Sequence, residues 1–362
     1  MNHQEKKISP NLRPLGLTAA LCFLSIAAAI DMEYGTALIG YALLAVMLGV
    51  LCVIFMTCER YIFVLDAVSA IVILFFAGSG SLMSALLGVV AITGAMILAV
   101  FVRKRCNKTV AVICTCITFA VGSAAVFAIL YAAEGGSLMP NDLFALLNEA
   151  FDDIKVLGAS VMRDYLNAMP EEYFRYYEQE YEITKDALIL VNIEAVETYV
   201  DYIQMLLPGF FVFIMQVWGW IASVSFEKTV KFSRYDALLP ETRWQIRPTQ
   251  VSCIAYIVVA SVYIITQFFS TTSVFALIVT NFWIALLPAM LACGLRSLRL
   301  RLSHPHFRMP TVIVLIVFGA GIFFMPSTAL MLGIFMLAFT GAQDVSLTHA
   351  AESAKKDFNE KK

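Results

Sequence analysis

Long apolar runs separated by short polar breaks cover most of this chain, at both ends of it. The runs are about 16–24 residues long, near the length that crosses a bilayer as a helix. None alternates with the two-residue period of a half-buried strand. Lipid cannot satisfy backbone N–H and C=O groups, so such runs must close their own hydrogen bonds as helices. The pattern predicts ten spans, over residues 15–32, 36–56, 61–77, 82–102, 109–132, 206–224, 251–268, 274–293, 311–325 and 327–342.

One polar break differs from the rest. Residues 133–205 hold 15 Asp/Glu and four Lys/Arg, a net charge of −11, against −2 for the whole chain. Asn141 and Asp142 can cap a helix bearing Leu143, Leu147, Phe151, Ile154 and Val161 at amphipathic spacing. Pro170 suits the first turn of a second helix, with Glu171 and Glu172 beside its positive dipole end. A third pattern runs from Thr184 through Ile193, Val196 and Val200 towards the membrane. Pro140, Pro170, Pro208, Pro310 and Pro326 fall at predicted helix ends or turns. The expected fold is therefore all-α: a polytopic helical membrane protein of about ten transmembrane helices with an extracytoplasmic acidic helical insertion. Its segments are 1–132, 133–205, 206–345 and a charged tail over 346–362.

Composition agrees. The chain is 60% hydrophobic and 14% charged, with a mean hydropathy of +0.80; soluble domains carry about 25% charged residues. Lys6, Lys7 and Arg13 precede the first run, which leads straight into further spans, so it reads as a transmembrane helix and not a cleavable signal. The eight cysteines lie in apolar runs or at their basic ends, which gives no disulfide framework. Cys114 and Cys116 read as small buried hydrophobes.

Charge sets the expected orientation. Outside residues 133–205 there are 21 Lys/Arg, and alternating loops place all of them on one side. By the positive-inside rule both termini are cytoplasmic and 133–205 is extracytoplasmic.

Candidate chemistry is sparse. Asp66 stands out, six residues inside Arg60 and about 9 Å along the helix axis. An acid at mid-membrane costs about 2.5–3.5 kcal/mol, so it must face a bundle interior or a wet cavity, as a ligand contact or a structural pair. Glu59 lies seven residues earlier on nearly the same face. Asn281, Gln216 and Gln267 are amides within spans, suited to interhelical hydrogen bonds. Trp218, Trp220, Trp244 and Trp283 suit packing or interfacial anchoring. Glu194, Glu197 and Asp201 share a helical face and read as a solvated surface. His304 and His306 are too few for a metal site. Small residues at four-residue spacing (Ser84 and Gly88, then Ala91, Ala95 and Ala99; Ala120, Ala124, Ala128 and Ala132) allow close helix packing, within the chain or against a partner.

No phosphate-binding G-x-x-x-x-G-K-[ST] loop, H-E-x-x-H helix or G-x-S-x-G elbow occurs in the sequence. These patterns assign no catalytic residue, cofactor or metal, and no basic domain suits nucleic acid.

Pro208, then Trp244, Arg247 and Pro248, then Asn281, Gly294-Leu295 and Gly341-Ala-Gln-Asp344 follow in an order that resembles the YybS-like predicted membrane proteins of bacteria. That domain family has no assigned function and is distantly similar to the substrate-binding S components of energy-coupling-factor (ECF) transporters. The resemblance covers about 206–344. It implies a non-enzymatic binder of a small-molecule solute, working with a coupling protein and cytoplasmic ATPases. S components have six helices against ten here, and Asp344 has no Arg following it. Two alternatives stand beside this reading: a membrane interaction or assembly protein using its acidic helices, and an ion-coupled secondary transporter.

Overall fold

The computed structural model describes residues 12–35, 38–235, 238, 249–269, 273–303, 305–324, 330 and 332–345. Twelve helices follow one another, and no strand occurs among the described residues. They are α1 (Leu12–Tyr34), α2 (Leu38–Thr57), α3 (Arg60–Ala77), α4 (Leu82–Arg103), α5 (Lys108–Ala133), α6 (Pro140–Asn167), α7 (Glu171–Tyr181), α8 (Lys185–Phe232), α9 (Gln250–Phe269), α10 (Val274–Ser303), α11 (Pro305–Phe324) and α12 (Leu332–Val345). Seven of them (α1–α5, α8 and α10) are long and apolar enough to cross a membrane. Shorter apolar stretches lie in α9, α11 and α12.

Two apolar cores form, and α8 serves both. The first gathers Leu21, Leu48, Ile54, Leu74, Leu98, Phe119 and Phe226 from α1–α5 and the far end of α8. The second gathers Leu206 of α8 with Tyr256, Trp283, Leu287, Met290 and Ala338 from α9, α10 and α12. The small-residue ladder of α4 is consumed inside the first core: Ser84, Gly88, Ala91, Ala95 and Ala99 are all buried. The α5 ladder is half open, with Ala124 and Ala132 exposed.

Several expected boundaries are corrected. The third acidic helix and the sixth span are one helix of 48 residues, about 72 Å long. Pro208 lies inside it and Pro310 inside α11, neither at a helix end, while Pro288 lies inside α10 as the expected 274–293 span already had it. The basic loop expected over 294–310 is largely helical, because α10 continues to Ser303 and α11 begins at Pro305. Asn141 and Asp142 do not cap α6. Met139 holds the N-cap position and Pro140 opens the helix, where its missing N–H costs nothing.

Other local signals hold. Thr184 caps α8 by accepting from the Ala187 N–H, and Glu171 and Glu172 occupy the first turn of α7. The acidic segment is thus an arm: α6 packs antiparallel along the first half of α8, and α7 seals the tip through Leu166, Phe174 and Leu188. Pro326 and the 346–362 tail lie outside the described residues.

Candidate functional site

Two prolines organise the centre of the molecule. Pro208 lacks an N–H, so α8 loses the bond to the Gln204 carbonyl, and the ring crowds that turn. Asn281 of α10 repairs the next rung. Its Oδ1 accepts from the Gly209 N–H at 2.7 Å, and its Nδ2 donates to the Met205 carbonyl at 3.0 Å and to Leu277 O of its own helix at 3.0 Å. In return Gln216 of α8 donates to the Ala285 carbonyl at 2.6 Å, three residues before Pro288, where that ring disturbs α10. Each proline-bearing helix thus sends an amide into the disturbed turn of the other. Two of the three amides expected to bond between helices do so. The Gln267 side chain lies outside the described residues.

Below this junction α8 floors a cleft of about 540 Å³. Val112, Ile113, Cys116, Ile117 and Ala120 of α5 form one wall; Leu286, Pro288, Ala289 and Met290 of α10 form the other. The floor holds Phe211, Met215, Gln216 and Trp220, and Thr109, Thr249 and Ser252 bring hydroxyls to one end. Its volume lies within the roughly 300–1,000 Å³ of small-molecule sites. Such a lining can hold an apolar body with a polar group at the hydroxyl end. The sequence carried no signal for it, because residues from four helices meet there.

The acids singled out from the sequence lie elsewhere. Asp66 of α3 is buried, and both its carboxylate oxygens accept from the Thr18 hydroxyl of α1, each at 3.1 Å. Glu59 is exposed at the N-cap of α3 and makes no capping bond through its side chain. Neither residue lines the cleft.

A second polar contact joins α10 to α12. Asp344 accepts from Arg301 Nη2 at 3.0 and 3.2 Å and from the Ser297 hydroxyl. One turn away Gly294 and Gly341 meet backbone to backbone, so that a Cβ on either would strike the other helix. The Gly294 and Gly341–Asp344 positions singled out in the sequence therefore build one contact. Trp244, Arg247 and Pro248 lie outside the described residues, as do His304 and the side chain of His306.

Trp218 stacks on Tyr41 and Trp283 on Tyr263 as buried packing groups, while Trp220 faces the cleft. Asp201 is tied to Lys155 of α6 at 2.8 Å, and Lys155 also holds Asp152 at 2.9 Å. Hydrogen bonds to Asp201 and then to Asp152 push the Lys155 ammonium pKa above its ordinary value. Lys108 at the start of α5 pairs with Glu227 near the end of α8. Among the described residues no group of three His, Cys, Asp or Glu is placed to hold a metal ion.

Apolar spanning helices packed around a shared central helix define a multipass helical membrane protein. No protein-family model, curated protein or solved structure matches the chain.

Proposed function

We propose that this protein is a non-enzymatic binding protein of the S-component type, holding a small apolar or amphipathic solute in the α5–α8–α10 cleft. The cleft carries this reading: an apolar trough of ligand size with hydroxyls at one end. The hydroxyl end lies beside the basic 103–108 turn. With basic residues held inside, it faces the cytoplasm of a bacterial cell, as do both termini, while 133–205 lies outside. Ten spans follow if α9, α11 and α12 cross as well. A coupling protein and ATPases would supply the energy, since the sequence has no phosphate-binding loop. Asp66 enters this reading as a structural pair with Thr18.

The test is native purification in mild detergent, with mass spectrometry of co-purifying proteins and small molecules. The expected result is one stoichiometric apolar molecule, lost when Ala120→Trp or Ala289→Trp fills the cleft. A molecule retained in both folded variants, or none in the native protein, would sink the proposal. Co-purifying ATPases would support uptake.

The acidic arm favours a second reading, as a membrane interaction or assembly protein. It packs mainly against α8, the helix that continues into the bundle. Deleting the arm would then abolish function and leave the bound solute in place. Ion-coupled transport through an inverted repeat ranks last, because one helix serves both cores.

A further inference from the structure

The arm has an apolar seam that the described residues leave largely uncovered. Helix α6 meets α8 along one line, marked by Asn148 Oδ1 accepting from Gln204 Nε2 at 2.7 Å, buried Phe151, the Lys155–Asp201 pair and buried Leu166. Rotated from that line by roughly a sixth of a turn or more runs a second one. It consists of Leu143, Leu147, Ala150, Ile154, Leu157 and Val161, spaced 4-3-4-3-4. That is a heptad pattern sustained for about 27 Å of helix. Ile154, Leu157 and Val161 are 49%, 65% and 60% exposed. Between them opens an apolar groove of about 430 Å³, floored by Gly158 and by Val196 of α8.

A helix with two apolar seams is built for two neighbours, and the arm supplies α8 for one. We propose that the second neighbour is α6 of another copy of this chain, paired in parallel about a twofold axis along the membrane normal. Membrane anchoring and the residues of the seam select that occupant. Both copies are anchored in one membrane with the same orientation, so their arms project the same way and their α6 helices run parallel. The seam has Leu147, Ile154 and Val161 at the a positions, and Leu143, Ala150 and Leu157 at the d positions. β-branched residues at a with Leu at d favour parallel two-stranded coils.

Charge permits the pairing although the arm is strongly acidic. In a parallel pair each g position faces the partner's following e position. These are Leu146 against Phe151, Asp153 against Gly158 and Ser160 against Tyr165, so no two acids meet across the seam between Leu143 and Val161, and Asp164 at the next d position ends it. Glu149 and Asp152 lie at the outer c and f positions. The acidic surface thus surrounds an uncharged strip, and confinement to a membrane offsets the modest length of the seam.

Disulfide trapping on the full chain in native membranes tests it. Ile154→Cys, Leu157→Cys and Val161→Cys should each give an oxidant-dependent homodimer at least about fivefold above the unsubstituted protein. Val156→Cys is 71% exposed but stands at the outer c position, and should stay at background. Native mass spectrometry should show two chains of 40.0 kDa, falling to one in Leu157→Glu with helix content unchanged. The cysteine variants are conservative, so a folding defect in Leu157→Glu would leave the trapping result decisive. Equal trapping at 156 and 157, no trapping at any a or d position, or a trapped product with a different protein would each overturn the proposal.

Discussion

Asn281 stands in for a rung of a helix that is not its own. Its side-chain amide sits between the Gly209 N–H and the Met205 carbonyl of α8, accepting from one and donating to the other. The orientation of the amide follows from this pair, since one neighbour can only donate and the other can only accept. Gly209 makes the approach possible: a Cβ there would lie 2.8 Å from the Asn281 carbonyl oxygen.

Replacing Asn281 by Leu removes both bonds to α8. Interhelical hydrogen bonds in membranes average about 0.6 kcal/mol each, and leaving partners unmatched adds to this, so a loss of roughly 1–2 kcal/mol is expected. Equilibrium unfolding in mixed micelles reads it. Gly209→Ala should cost at least as much, because α8 and α10 must separate. A neutral Asn281→Leu would show that the rung closes without help.

Thr18 and Asp66 give a sharper contrast. Asp66→Asn keeps an acceptor for the Thr18 hydroxyl and should change stability by less than about 1 kcal/mol. Thr18→Val strands the buried carboxylate without that donor and should cost about 1–3 kcal/mol. If the order is reversed, Asp66 is held by something other than Thr18. If Asp66→Asn also leaves solute retention unchanged, a ligand role for the acid is excluded.

Lys155 ties α6 to α8 through Asp201, and its raised pKa fixes the sign of the pH response. Its contribution is complete below the ordinary lysine value of 10.5 and is lost as pH rises through the higher folded value. Protease protection of the arm should therefore hold across neutral pH and weaken only in strong alkali. Lys155→Gln should show lower protection at neutral pH and no alkaline step of this origin. A loss of protection near neutrality in the native protein would assign the arm's stability to other groups.

The Gly294–Gly341 contact predicts the least tolerant pair of positions in α10 and α12. Either residue changed to Leu forces the helix backbones apart, with overpacking costs of about 1–3 kcal/mol or more. The Asp344 bonds to Ser297 and Arg301 should fail with it. Retained thermal stability in Gly294→Leu would show that α12 does not need this approach.

The sequence by itself determined that the chain is helical and membrane-borne, because apolar runs of spanning length leave the backbone no other way to satisfy itself in lipid. It also determined three acidic helices, through Thr184, Glu171 and Glu172 and the spacing from Leu143 to Val161. The tertiary structure decided where those helices end. Pro208 reads locally as a helix start, and the Asn281 amide of α10, 72 residues beyond Gly209, bonds the rung of α8 that the proline disturbs. Likewise Asp66 announced a partner without naming it, because the Thr18 hydroxyl lies 48 residues away on a separate helix. The cleft had no trace in any one segment. Its walls come from α5 and α10 and its floor from α8, and apolar residues facing a cleft look the same in sequence as those facing lipid.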